Sequence, residues 1–155
     1  MKKPKFSLNV KDEQLSALVE QADKKNLATW AIDCVDRALP FFEESYPEDE
    51  RPGQALVVLR SWICTGVFSM KVIRKAALDA HAAAREVGQD NAARSAARAA
   101  GQAVATAHVK THAIAAANYA LQAIHRAATG ENAQEDVAKE REWQTQHLLS
   151  LLKIT

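Results

Sequence analysis

The stretch from Ala92 to Ala128, AARSAARAAGQAVATAHVKTHAIAAANYALQAIHRAA, is nearly half alanine and contains no proline. Alanine loses no side-chain entropy on folding and is the strongest helix former, so this segment is helical. It also buries little area per residue. At roughly 25 cal/mol per Å² of apolar surface, its stability must come from close approach of neighbouring backbones, with helix axes near the short end of the packing range, about 8 Å. The rest of the chain agrees with a bundle built around such a segment. Five glycines and four prolines punctuate 155 residues, and between them apolar residues recur at three and four positions rather than at two. The expected fold class is all-α: one compact domain, a bundle of about five to seven helices with a central alanine-rich helix or helix pair.

Residues 1–10 read as a flexible N-terminal tail. Leu15, Leu18, Val19 and Ala22 then give a first helix one apolar side over residues 11–25, with Asn9 available as its cap. A second, over residues 27–42, repeats Trp30, Ala31, Cys34, Val35, Ala38 and Leu39 at helical spacing until Pro40 ends or kinks it. EESYPEDERPG is an acidic loop in which Asp49 or Glu50 can cap a helix carrying Pro52 in its first turn. That helix, ALVVLRSWICTG to Gly66, is apolar almost all round and is expected at the centre of the core. Residues 69–87 follow, ending at Gly88, and Asp90 or Asn91 caps the alanine-rich segment, which runs to Gly130 with a candidate break at HVKTH. A last helix, residues 131–152, opens on carboxylates, as the helix dipole prefers, and closes on LLSLL. LDAHAAA, ATAHVKT and QAIHRAA share too little to establish a repeat, so a bundle is preferred to a helical solenoid.

Lys plus Arg number 20 against 19 Asp plus Glu, so the molecule as a whole offers no strong field to nucleic acid or to an anionic membrane. Cys34 and Cys64 have no CxxC or zinc spacing and read as free, mostly buried thiols of a reducing cytoplasm. MKKPKFSLNV is basic but no apolar leader segment follows it, and no run of about 18 apolar residues occurs, which predicts neither export nor membrane insertion.

Treated as one continuous helix at 100° per residue, the alanine-rich segment places Arg94, Arg98, Gly101, Ala105, His108, His112, Tyr119 and Arg126 in one row opposite Ile114 and Leu121. A break at residues 109–111 would disrupt that register. His108 and His112 stand at the i, i+4 spacing that lets two imidazoles share a metal, but no HExxH or Glu-x-x-His accompanies them, so no metal and no cofactor are expected. His81 and Arg85 share a face and can sit beside Glu43 or Glu44. Residues 71–110 hold seven Lys or Arg against Asp79, Glu86 and Asp90, a local basic face without interleaved aromatics for base stacking, so a solvated face is preferred to a nucleic-acid site. The acidic loop, Glu43, Glu44, Tyr46, Glu48, Asp49 and Glu50, joins carboxylates to an aromatic, as protein-binding spots do; ENAQEDVAKERE with Trp143 is a second acidic stretch of that kind. Trp30 and Trp62 lie in apolar runs and belong to the core. No Gly-x-Ser-x-Gly, phosphate-cradling loop or serine or cysteine with a recognisable base is present, so the chain does not read as an enzyme.

RPGQALVVLRSW, AALDAHAAARE and AARSAARAAGQAVATAHVKTHAIAAANYA, in this order, resemble the Imm-five-like family of bacterial immunity proteins, associated with polymorphic toxin systems. The resemblance runs from about Asp33 to Tyr119. Trp62, the block from Ala80 to Arg85, Ala99-Ala100-Gly101, Ala105 to His108, and His112-Ala113 look like the family pattern. Gln102 stands where a histidine is often found and Lys110 where a proline is, the latter implying a helix break near His108 in relatives. The resemblance implies a cytoplasmic helical protein that binds and neutralises a cognate toxin by occlusion, with no chemistry of its own. The contact surface would be the acidic loop or the polar seam of His81, Arg85, Arg94, Arg98, His108, His112 and Tyr119. The alternatives are a metal-binding helical enzyme centred on His108 and His112, and a nucleic-acid-binding protein using the 71–110 face. A homodimer is a further expectation, because alanine faces pack closely.

Overall fold

Alanine puts the second half of the chain at the centre. A computed structural model of the protein describes residues 3, 5–7 and 12–153, and among them the chain forms eight α-helices and no strand. These are α1 (Glu13–Gln21), α2 (Lys24–Asp36), α3 (Pro40–Glu43), α4 (Arg51–Thr65), α5 (Met70–Glu86), α6 (Ala92–Ala105), α7 (Thr111–Ala127) and α8 (Ala133–Lys153), the last preceded by a single 3-10 turn, Gly130–Asn132. The fold class is as expected, and the number of helices exceeds the expected five to seven. One extra helix arises because α2 ends at Asp36 and the chain restarts as α3 with Pro40 in its first turn, where a missing N–H costs nothing. Another arises because the alanine-rich segment is a helix pair.

Side-chain caps set the starts of α1, α2, α5 and α6. Asp12 accepts from the Leu15 amide at 3.0 Å, Asp23 from Asn26 at 2.7 Å, Ser69 from Val72 at 3.3 Å and Asn91 from Arg94 at 3.0 Å, each satisfying an amide that the helix itself cannot. Asn9, the expected cap of α1, lies outside the described residues. Gly66 closes α4 in the left-handed conformation, with φ 70°.

α6 is the central helix and packs against α2, α3, α4, α5 and α7. Ala96, Ala97, Ala99, Ala100, Ala103 and Val104 are fully buried, and the partly exposed positions of its body, Arg94, Arg98, Gln102 and Ala105, form one stripe at spacings of four, four and three. The alanine faces that suggested a homodimer are thus occupied within the monomer. α4, expected at the centre, lies instead against one side. Ala55, Leu56, Leu59 and Trp62 face the core, while Val57 is 51% exposed and Cys64 is at the surface, so only one of the two thiols is buried. Near-continuous hydrophobicity in α4 misled because alanine, not valine, gives neighbouring helices their close approach.

α2 and α8 close the other side through polar as well as apolar contacts. The Trp30 indole N–H donates to the Gln144 carbonyl at 2.8 Å, and the fully buried Gln144 amide donates to the Ala117 carbonyl at 3.1 Å. Arg37 forks onto the carboxylate of Glu140 at 2.6 and 3.0 Å while its guanidinium lies 3.9 Å from the Trp143 ring centre. Trp143, expected at a partner-facing spot, is therefore engaged inside the fold. Of residues 1–10, expected as a flexible tail, Lys3 and Phe6 touch the end of α7: Lys3 donates to the carbonyls of His125, Arg126 and Ala128, and Phe6 meets His125 edge-on. Among the described residues, no helix is long and apolar enough to cross a membrane.

Candidate functional site

The break between α6 and α7, at residues 106–110, decides how the polar residues of the alanine-rich segment are arranged. It turns one expected row into two antiparallel edges. The turn holds neither glycine nor proline; tertiary contacts hold it instead. Lys110 Nζ donates to the Glu20 carbonyl at 2.9 Å and Lys24 Nζ to the Ala107 carbonyl at 3.4 Å, both from the region where α1 gives way to α2, and the His108 ring stacks over Phe68. His108 is therefore exposed in the turn, whereas His112 lies in the first turn of α7, so the pair does not share a helix face. Among the described residues no group of three or more His, Cys, Asp or Glu side chains converges as a metal site would require.

The two edges meet across the hairpin. At one end Arg126 donates to Ser95 Oγ at 2.9 Å, Ser95 Oγ donates to Gln122 Oε1 at 2.9 Å, and Arg94 bonds both the Ala84 carbonyl, at 3.1 Å, and Asp90, at 2.8 Å. Asp90 also faces Arg126 at 3.9 Å, and its hydrogen bond from Arg94, with Arg126 nearby, holds its carboxyl below the usual carboxylate range. Tyr119 lies near this end, lining a small cleft with Phe6, Ala115, Asn118 and Gln122. At the other end His112 Nδ1 lies 2.8 Å from Gln102 Oε1.

His81 joins this second end from α5. Its ring tip points at Gly101: a Cβ built on that glycine would lie 2.7 Å from His81 Nε2, so the missing side chain is what admits the imidazole. His81 and Arg85 thus sit beside α6 and α7, with Arg98 and His112, and not beside Glu43 or Glu44 as expected. Burial, then Arg85, Arg98 and His112, push the His81 pKa below its ordinary value; burial and then His108 do the same at His112.

The acidic loop is on another face. Glu48, Asp49, Glu50, Arg51 and Gln54 rim a groove of about 540 Å³ between α4 and α5 whose floor includes Val58, Val72 and Ala76, with Lys75 and Asp79 at its far side. Arg51 bonds Asp49 at 2.7 Å and Glu86 at 2.5 Å, lowering the Asp49 pKa, and Lys75 pairs with Asp79 at 2.5 Å. Glu43, Glu44, Glu48 and Glu50 make no ion pair among the described residues, and Tyr46 stacks on Phe42 with 36% of its surface exposed. Glu43 Oε2 instead lies near Gly53, 3.9 Å from the position a Cβ would take there.

A sequence profile of the family described as "Imm-5 like putative immunity protein" matches residues 17–151, nearly the whole described helical body. The chain belongs to this family. No curated protein and no solved structure matches it. Family membership covers the acidic loop and the seam alike, and so does not choose between them. Of the expected seam residues, the structure gathers Arg94 and Arg126 around Asp90 at one end, with Tyr119 near Arg126, and His81, Arg85 and His112 at the other, with Arg98 between; His108 stands apart in the turn. Gln102 and Ser95, which bridge the two helices, were missed as members. Their i, i+4 and i, i+3 spacing from Arg98 was the available signal.

Proposed function

We propose that this protein is an immunity protein that binds a cognate bacterial toxin in the cytoplasm and neutralises it by occlusion, with no catalytic step of its own. The family match over residues 17–151 carries the reading. The side chains are in keeping with it. The Cys34 thiol is enclosed and its pKa is pushed well up by burial, the nearby Glu140 and Asp33 adding to the effect, which is the opposite of an activated nucleophile. Cys64 is exposed in a shallow cleft lined by Thr29, Ile32, Asp33, Arg60 and Ile63, where Arg60 is paired with Asp36 and Asp33 with His147.

We place the toxin contact on the groove between α4 and α5. Its rim carries carboxylates without ion-pair partners, Glu48 and Glu50, beside exposed Tyr46, and its floor is apolar, the combination by which a protein interface gains both steering and buried area. The net charge of +1 does not argue against an acidic contact, because the cations of the α4–α5 groove, Arg51 and Lys75, are already paired while its rim keeps Glu48 and Glu50 without ion-pair partners. Such a surface fits a basic patch on the toxin.

Co-expression with products of neighbouring genes tests the function. One product is expected to arrest growth and this protein to relieve the arrest. If no neighbouring product is toxic, or none is relieved, the immunity reading fails. Glu48→Lys with Glu50→Lys is expected to abolish relief while leaving the helical circular-dichroism spectrum unchanged; full relief by that variant moves the contact off the groove and leaves the function standing.

A further inference from the structure

Most arginines of the described residues are spoken for. Arg37, Arg51, Arg60, Arg94 and Arg126 each meet a carboxylate, and Arg141 bonds the side-chain oxygens of Gln144 and Asn118. Arg74, Arg85 and Arg98 have neither a hydrogen bond nor an ion pair there; Arg74 and Arg85 are exposed, whereas Arg98 is partly buried on the one wet stripe of the central helix. A partly buried cation beside other cations costs free energy unless an anion is supplied.

We propose that His81, Arg85, Arg98 and His112 form a binding site for an oxyanion, a carboxylate or a phosphate-type group, where α5 crosses α6 at Gly101 beside the first turn of α7. The groups come from three helices, and the two imidazoles are held in place. Gly101 lets the His81 ring tip reach the α6 backbone, and Gln102 fixes the His112 ring. In the tautomer with its proton on Nδ1, His112 donates to the Gln102 oxygen and leaves Nε2 to gain the second proton as an anion arrives.

The charged and titratable groups around His81 are Arg85 on its own helix, Arg98 from α6 and His112 from α7, with His108 next beyond His112; no carboxylate is among them. The carboxylates nearest in sequence are engaged elsewhere, Asp79 by Lys75, Glu86 by Arg51 and Asp90 by Arg94. Two guanidiniums supply planar donor forks that match an oxyanion, and two imidazoles add charge when protonated. The site goes beyond the immunity reading and does not require the toxin.

The test uses the full chain and two probes, sulfate and glutarate, each against chloride at matched ionic strength, followed by the histidine ring proton resonances and by calorimetry. Saturable shifts of the His81 and His112 resonances are expected, with both pKa values rising when the probe is bound. Affinity is expected to fall at least about threefold between about pH 5 and about pH 8, a range that spans the depressed values at which both imidazoles lose their protons. Arg85→Gln, at an exposed position, and Arg98→Gln are each expected to weaken binding about tenfold, the effect of losing a charge-assisted hydrogen bond, while Arg60→Gln leaves it unchanged. Tighter sulfate supports the site with a phosphate-type ligand, and tighter glutarate supports it with a carboxylate. Shifts no larger than chloride produces, or equal weakening by Arg60→Gln, overturn it.

Discussion

Gly101→Ala sets two effects of similar size against each other. Gly101 lies inside α6 with no positive φ, so alanine removes conformational freedom from the unfolded chain and should stabilise the helix by about 1 kcal/mol. Against this, the new methyl would meet His81 Nε2 at 2.7 Å, Cε1 at 2.8 Å and Cδ2 at 3.0 Å. Carbon contacts settle at about 3.5–4.0 Å, so the ring must retreat by about 1 Å. Overpacking of this kind costs about 1–3 kcal/mol. Because the obstructing atoms are the tip of a side chain that is only partly buried, about 2 kcal/mol is the appropriate figure, and the net expectation is a loss of about 1 kcal/mol. For a chain of this size that lowers Tm by about 2–4 °C. In a His81→Ala background the obstruction is gone, and the same substitution should stabilise by about 1 kcal/mol. Urea denaturation of the four proteins in this double-mutant cycle should give a coupling of about 2 kcal/mol with a reversal of sign. If Gly101→Ala stabilises both backgrounds equally, His81 does not occupy the space the glycine leaves.

Stability should also depend on pH near neutrality. The folded-state pKa values of His81 and His112 lie below the ordinary value, so the unfolded chain binds protons more readily; stability is full above about pH 6.5 and falls as pH drops through the folded values. Denaturation midpoints measured across this range should decline on acidification, and less so in His81→Gln; an identical slope would remove His81 from the cause. Native protein should titrate one thiol with a disulfide reagent, Cys64, and release the second only in denaturant, because Cys34 is buried with a raised pKa. Arg37→Ala leaves the Glu140 carboxylate, 10% exposed, without its fork and should cost about 1–2 kcal/mol in urea unfolding, together with a change in Trp143 fluorescence. Trp30→Phe removes the indole donor from the Gln144 carbonyl, which keeps its own helical partner in α8, and should cost about 0.5–1.5 kcal/mol by the same assay.

What could be read from the sequence was whatever local chemistry decides. Ser69 and Asn91 cap the helices that their positions foretold, Gly66 and Gly88 end α4 and α5 with positive φ, and Pro40 separates α2 from α3. The misreadings share a cause in tertiary contact. The break after α6 falls at the candidate HVKTH, but no glycine or proline there decides between one helix and two, and its anchors, Lys24 and Lys110, reach across 83 and 90 positions of chain. A helical wheel cannot see such a contact. His81 was paired with Glu43 or Glu44 because an imidazole beside an arginine invites a carboxylate, but the space available to it is set by a glycine on a different helix.

The same close packing explains why the charged residues separate by face. With its alanines buried, α6 has only the stripe of Arg94, Arg98, Gln102 and Ala105 left to meet solvent, and the antiparallel return of α7 lays Arg126, Tyr119 and His112 along it. A cation entering that stripe can be balanced only from the loop at one end, where Asp90 serves Arg94 and Arg126. Arg98, one helical turn further along, lies in the field of Asp90 without pairing with it, and His81 arrives from α5 with no carboxylate around it. On the other side of α5 the helix faces α4, whose start is approached by the acidic loop, and there Lys75 and Arg51 are matched while Glu48 and Glu50 are left over. A near-neutral chain thus carries two uncompensated surfaces of opposite sign, one on each side of α5. Ionic strength therefore acts on them independently: salt should weaken a basic partner at the groove and an oxyanion at the seam, and substitution at Glu48 and Glu50 should change only the first of these dependences.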